Sequence, residues 1–235
     1  MCPRPPEHAA PPLVALRPSA AMRAAFGPHS LPQTVAGLRA LDDPHGTDAA
    51  APAPRLDPRD VSDWGDWRDA ASRRASAVVV LLIPPAAGEH AARLVLTRRS
   101  TALRSHRGQI GFAGGRADLG DPTPAATALR ELEEELGLAR ARVEPLGYLA
   151  PTSALERSVV VPLLALAAVA PEELTPSPAE VAEVLLAPWT AFMPSRDRAF
   201  RFNIFGDWRA SHLFEPPGFA VWGLTARILA SAQLA

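Results

Sequence analysis

Four glutamates, Glu131, Glu133, Glu134 and Glu135, crowd the stretch RELEEELGL that runs from Arg130 to Leu138. Like charges so close repel, so the segment is either a solvated acidic face or a place where something positive sits. On a helix each residue turns the side-chain direction by about 100°. With Glu131 as origin, Glu134 falls near roughly −60°, Glu135 near roughly +40° and Glu133 near roughly 200°. Glu131, Glu134 and Glu135 therefore share one side, and Glu133 points away. Leu129, Leu132 and Leu136 form a separate apolar stripe suited to packing on a sheet. Arg130 lies beside the carboxylate side and can pair with one of its members. Three carboxylates on one side are hard oxygen ligands of the kind Mg²⁺ takes, with waters and substrate phosphate oxygens completing its shell.

The segment GFAGGRADLGD, just before the helix, favours the metal reading over the solvated face. The adjacent Gly114 and Gly115 allow turns barred to other residues and a close backbone approach to a ligand. Asp121 or Thr123 can cap the helix, with Pro122 or Pro124 in its first turn. Gly137 is the expected left-handed stop. A glycine loop bent around an acidic helix brings backbone and carboxylates into one pocket.

Other elements must hold this pocket. Ala75–Pro84 (ASAVVVLLIP) is a short β-branched run and predicts a buried strand; Ala92–Ser100 predicts a second, reached through a turn at Gly88. Thr101–Arg116, with four glycines, predicts a loop with shaped turns. The helix is expected over about 122–136, with strands near Val143–Leu149, Val159–Ala168 and Val181–Leu186. A helical turn opens at Pro188 and Trp189, and a final helix spans Val221–Ala232. Upstream, Ser30–Leu41 reads as a capped helix with Val35, Leu38 and Leu41 on one face. The implied organisation is a poorly ordered arm over 1–29, a short helix and linker over 30–72, and one domain over 73–235. Trp64 and Trp67 are expected to pack the linker onto that domain. Mixed strands and helices around a central loop–helix predict an α/β sandwich.

Composition narrows the class. The chain has 235 residues and a formal net charge of −1, so no basic field points to nucleic acid. One cysteine, Cys2, excludes a disulfide framework within the chain and fits a reducing compartment. The longest apolar run, Val159–Ala170, is broken by Pro162 and falls short of the about 20 residues a membrane helix needs. These features lead to the expectation of a soluble, cytoplasmic protein with no nucleic-acid or membrane partner.

The residues around the glutamates resemble the motif of the Nudix hydrolases: G, five residues, E, seven residues, then REUXEEXGU, with U a bulky aliphatic residue. Arg130, Glu131, Leu132, Glu134, Glu135, Gly137 and Leu138 match its second half. In the first half Asp121 stands at the acidic position after Gly115, and eight residues rather than seven separate it from Arg130. Upstream, VLTRRSTALRSHRGQIGFAGG (Val95–Gly115) resembles the signature of the coenzyme A pyrophosphatase branch. Leu96, Thr97, Arg99, Ser100, Arg104, Gly108, Phe112, Gly114 and Gly115 fit, while Ala113 replaces the usual proline. VWGLTARIL (Val221–Leu229) resembles the same branch. The likeness covers about residues 75–233.

The resemblance implies a Nudix-type α/β/α sandwich with a mixed sheet. It also implies hydrolysis of a pyrophosphate bond in a small nucleotide-type substrate, with Mg²⁺ or Mn²⁺ held by Glu131, Glu134 and Glu135. For coenzyme A or its derivatives the products are 3′,5′-ADP and (acyl-)4′-phosphopantetheine. Arg130 is expected to orient a motif glutamate. Arg99 and Arg104, with Gly114 and Gly115, are expected to contact substrate, because guanidinium matches phosphate oxygens bidentately; Arg98 and Arg107 are further candidates, and Asp121, at the motif's acidic position, is a site residue of open role. The general base is either a motif glutamate or an acid from a later loop, where Glu180 is the better candidate and Glu183 reads as an exposed glutamate. His106 reads as a loop residue. Two alternatives stay open: a Nudix pyrophosphatase acting on ADP-ribose, NADH or another nucleoside diphosphate derivative, and a non-catalytic nucleotide-binding Nudix module. Also open are homodimerisation and the role of residues 1–70, whether disordered arm, dimer contact or a mis-assigned start ahead of Met22.

Overall fold

The structure, a computed structural model, describes residues 13–27, 29–36, 75–153, 159–204 and 207–232. Its centre is β3 (Ala75–Ile83), the β-branched run read from the sequence. One edge of β3 pairs in parallel with β9 (Val159–Ala167). The other edge is shared. The C-terminal end of β3 pairs with β4 (Arg93–Arg99), and its N-terminal half pairs with β6 (Ala113–Arg116), both antiparallel. The sheet then extends through β10 (Val181–Pro188) beyond β4 and β7 (Val143–Tyr148) beyond β9. Short strands β5 (Ile110–Gly111) and β8 (Thr152–Ser153) pair with β4 and β9. One parallel pair among antiparallel ones makes the sheet mixed, as expected.

Alternation along the strands divides the core in two. Val79, Leu81, Ile83 and Val95 face one side, where they meet Ala128, Leu132 and Leu136 of α2 (Pro124–Leu136). Val80, Leu82, Leu94 and Leu96 face the other side and meet Ala226, Ile228 and Leu229 of α3 (Gly223–Ala232). A sheet covered by a helix on each face is the α/β/α sandwich the sequence implied.

Some expectations are corrected. Within the segment expected to be a poorly ordered arm, β1 (Leu13–Ala15) and α1 (Ala20–Phe26) are formed. The expected helix from Ser30 is instead a turn leading into β2 (Thr34–Ala36), which pairs with β1. Val35 is fully buried, as an apolar residue would be on the inner face of either element, so the apolar spacing alone did not select the strand. Leu38, Leu41, Trp64 and Trp67 lie outside the described residues. Thr101–Arg116 is not all loop, since β5 and β6 sit within it. The final helix begins at Gly223, because Val221–Trp222 is a strand, β13, that pairs with β12 (Asp207–Phe214). β12 forms a hairpin with β11 (Arg198–Ile204), which the sequence reading did not foresee. Among the described residues no helix is long and apolar enough to cross a membrane.

Candidate active site

The acidic helix α2 is fixed at both ends. The Thr123 hydroxyl accepts from the Ala126 N–H at 3.1 Å and Pro124 opens the first turn, so Thr123, not Asp121, is the cap. The Tyr148 hydroxyl, from β7, accepts from the Ala125 N–H at 3.1 Å. Gly137, at φ 64°, ends the helix in the left-handed conformation and donates to the Glu133 carbonyl. Beyond it, the Thr175 and Ser177 N–H groups donate to the carbonyls of Leu136 and Glu135, tying the loop that carries Glu180 to the helix end. Glu180 is also held from the other side, because its carbonyl accepts from the Ser100 N–H just past β4.

Helical geometry turns Glu133 away from Glu131 and Glu135, but Glu134, expected to face the glycine loop, is more exposed than Glu133. Glu133 points outward, 45 % exposed, and pairs with Arg140 at 3.3 Å. Glu131 is 15 % exposed and Glu135 only 3 %, whereas Glu134 is 56 % exposed. The Glu131 carboxylate lies against the glycine loop: a Cβ built on Gly115 would sit 2.3 Å from it. Gly114 is equally constrained, since a Cβ there would meet the Ala77 carbonyl of β3 at 2.4 Å. Close approach of the loop to β3 and α2 therefore requires glycine at both positions.

Arg130 is the hub. Its Nη1 donates to Glu131 at 2.9 Å and to Glu134 at 3.0 Å; its Nη2 donates to Asp121 and to the Arg116 carbonyl, both at 3.0 Å. The sequence reading gave Arg130 one carboxylate partner; the structure hydrogen-bonds it to three and places a fourth, Asp118, at 3.8 Å. Asp121 is buried. Burial works to raise its carboxyl, but hydrogen bonds from Arg130, the Asp118 N–H and the Thr127 hydroxyl outweigh it and hold the carboxyl below its ordinary value. Asp121 thus anchors Arg130, which in turn orients Glu131 and Glu134.

The remaining carboxylates are under electrostatic pressure. Burial raises Glu131; Arg130 opposes this, and Glu134 and Glu180 add to it. Burial pushes Glu135 up to about 7; Arg99 and the Gly114 N–H oppose the rise, while Glu131 and Glu180 reinforce it. Glu131, Glu135 and Glu180 thus feel one another, so the structure brings the late-loop acid to the acidic helix. The nearest guanidinium to Glu135 is Arg99, with Nη1 3.7 Å from its Oε1. The Arg99 Nε is buried and has no hydrogen-bond acceptor among the described residues.

The other expected residues separate into groups. Arg98 sits beside Arg99 on β4 but pairs with Glu183 at 2.8 Å. Arg107 donates its Nε to the Leu103 carbonyl, and His106 meets Gln109 at 2.9 Å. Arg104 is exposed on the loop between β4 and β5, with no partner among the described residues. Tyr148 and Thr127 were missed by the sequence reading. Tyr148 is the chain's one tyrosine, placed late in an expected strand, and that was the available signal.

Among the described residues, no three acidic or imidazole groups converge on one point where a metal ion would be held as they stand, because Arg130 draws Glu131 and Glu134 to itself. The donor chemistry nevertheless suits a hard divalent cation: carboxylates set against a glycine backbone, two of them raised by burial and by mutual repulsion.

The chain is 36 % identical over 149 residues to "Nudix hydrolase 22, chloroplastic" of Arabidopsis thaliana, a match covering 60 % of this chain and 48 % of that protein. It is 37 % identical over 146 residues to the "Uncharacterized Nudix hydrolase NudL" of Photorhabdus laumondii, covering 58 % and 73 %. To the human "Mitochondrial coenzyme A diphosphatase NUDT8" it is 36 % identical over 139 residues, covering 57 % of this chain and 59 % of the relative. The chain thus spans about half the length of the first of these relatives. Residues 73–206, more than half of the chain, match the NUDIX domain, and with α2 and its glycine loop at the centre of that span the chain belongs to the Nudix hydrolase family.

Proposed function

We propose that this protein hydrolyses the pyrophosphate bond of coenzyme A or its derivatives, giving 3′,5′-ADP and (acyl-)4′-phosphopantetheine. The observation that carries the reading is Glu135, buried against the Gly114 N–H with Glu131 and Glu180 within electrostatic reach and Arg99 directed at it. The 36 % identity over 139 residues to the human coenzyme A diphosphatase supports the substrate class.

Nudix hydrolases generally need divalent cations, and here Glu131, Glu134 and Glu135 would hold Mg²⁺ or Mn²⁺. When bound, such an ion offsets charge on the pyrophosphate and acidifies a water. The chain's own residues do the rest. Asp121 fixes Arg130, and Arg130 holds Glu131 and Glu134 in position, so the carboxylates are oriented before substrate arrives. Arg99, whose buried Nε lacks an acceptor, donates to a phosphate oxygen and so binds the pyrophosphate beside Glu135. Arg104, exposed and unpaired among the described residues, supplies a second cation to the same substrate. Gly114 and Gly115 let substrate oxygens approach the backbone. The Glu180 carboxylate, on the loop braced by Ser100 and Ser177, takes the proton of the attacking water.

The test is a substrate panel with Mg²⁺ and with Mn²⁺, covering coenzyme A, acetyl-coenzyme A, ADP-ribose, NADH and dinucleoside polyphosphates, with products identified by mass. Highest kcat/KM on coenzyme A or acetyl-coenzyme A is expected. A clear preference for ADP-ribose overturns the substrate assignment, and full activity of both Glu134→Gln and Glu135→Gln overturns the assignment of the ligands.

A further inference from the structure

Arg98 and Arg99 are neighbours on β4, so their side chains leave opposite faces of the sheet. Arg99 goes with Val95 to the face of α2 and meets Glu135; Arg98 goes with Leu94 and Leu96 to the face of α3. On that second face lies a cleft of about 430 Å³, whose walls include Arg98, Arg107, Gln109 and Ile110 on one side and Phe219 and Trp222 on the other. Its size falls among small-molecule sites.

The walls are held at a fixed spacing. Ile110 pairs with Arg98 across β5 and β4, and its carbonyl accepts from the Thr225 hydroxyl of α3 at 3.1 Å. β13 provides the opposite wall. Val221 is fully buried in the core, so alternation turns Trp222 outward, where the indole is 50 % exposed. The two guanidiniums differ in charge balance. Arg98 is compensated by Glu183. Arg107 is anchored through Nε to the Leu103 carbonyl, and no carboxylate among the described residues pairs with it. The cleft therefore offers an uncompensated guanidinium, a second guanidinium braced beside it, and the face of a half-exposed indole.

We propose that this cleft binds a purine nucleoside bearing a phosphomonoester, with the base stacked on Trp222 and the phosphate held by Arg107 and Arg98. Guanidinium matches phosphate oxygens in a two-point contact, and an aromatic face accepts any base by stacking. The proposal rests on the pyrophosphatase reading above and extends it. One substrate would have its pyrophosphate at Arg99 and pass round the end of β4, so that its phosphorylated nucleoside reaches the cleft beside Arg98 on the other face. The cleft then selects substrates carrying a third phosphate on the nucleoside.

The test is calorimetric titration of the full chain, without metal, with adenosine 3′,5′-bisphosphate and with adenosine 5′-monophosphate. The bisphosphate should bind about 10- to 100-fold more tightly than the monophosphate, the range for one charged hydrogen-bonded contact. Arg107→Gln should erase that difference. Trp222→Ala should weaken both ligands about 10-fold, and Trp222→Phe should restore most of the loss. Both side chains are on the surface, and unchanged urea midpoints would confirm intact folds; Arg107→Ala serves if Gln is not tolerated. Equal binding of the two nucleotides by the unaltered protein overturns the proposal, as does bisphosphate binding that ignores both Arg107 and Trp222. The two readings fail separately. Absence of coenzyme A hydrolysis with this binding pattern intact removes the activity and leaves the cleft. Coenzyme A hydrolysis with an unchanged KM in both variants removes the cleft and leaves the activity.

Discussion

Replacing Glu135 with Gln in the metal-free protein should stabilise it at alkaline pH. Glu135 is 3 % exposed, and burial raises its carboxyl from 4.5 to about 7. Between those values the folded protein holds a proton that the unfolded chain releases, so unfolding becomes easier as pH rises. The stability contributed by the neutral carboxyl is fully present below pH 4.5 and is lost by the time pH passes about 7. At about 1.4 kcal/mol per pH unit, that interval corresponds to about 3 kcal/mol. A neutral amide of the same shape has no such penalty and can still accept from the Gly114 N–H. Urea unfolding of both proteins in a chelator at pH 5, 6, 7 and 8 gives the difference directly, and the subtraction removes every other titrating group. Glu135→Gln should match the unaltered protein near pH 5 to within the small loss of its contact with Arg99. It should exceed it by up to about 3 kcal/mol at pH 8. Adding Mg²⁺ at pH 8 should reverse the order, because an ion that binds only the folded form stabilises it. A difference that stays flat from pH 5 to pH 8, or a variant less stable at pH 8, would refute the reasoning about Glu135.

Three further outcomes are expected. Gly115→Ala should place a methyl 2.3 Å from the Glu131 carboxylate and lower kcat/KM by about 10²-fold, with a near-native circular dichroism spectrum. Gly137→Ala should cost about 1–3 kcal/mol in urea unfolding, because its φ of 64° disfavours alanine and the added carbon would meet the Thr175 hydroxyl. Glu180→Gln should reduce kcat by about 10²–10⁴-fold while leaving urea stability unchanged, and an undiminished kcat would return the base to the glutamates of α2.

Local chemistry made α2 legible. Thr123, Pro124 and Gly137 are start and stop residues with their own mechanisms, and the 3.6-residue turn separated Glu133 from the other three glutamates before any contact was known. The β-branched runs at Ala75–Ile83 and Val159–Ala167 were legible for the same reason. What stayed hidden depends on chain segments meeting at a distance. The parallel pairing of those two strands crosses about eighty residues of sequence and leaves no local mark. Arg130 hydrogen-bonds a third carboxylate only because the loop from Gly115 folds Asp121 back onto the helix. The strand at Thr34–Ala36 exists because Leu13–Ala15 pairs with it, and its local pattern fitted a helix equally well. Trp222 gave no hint of a cleft, since its partner wall lies more than a hundred residues earlier.

The early segment has a consequence for where the folding unit ends. Phe26 and Val35 are buried in the core beneath α3, and the Ser30 carbonyl accepts from both the Ala92 N–H and the Trp189 indole. Phe26, Ser30 and Val35, like α3 itself, lie outside the span 73–206 shared with the family. A truncation to that span would keep every motif glutamate and the glycine loop, yet strip one face of the sheet to bare Val80, Leu82, Leu94 and Leu96. Such a fragment should aggregate rather than fold. The residues that perform the chemistry and those that make the sheet soluble are therefore different parts of the chain, free to diverge at different rates.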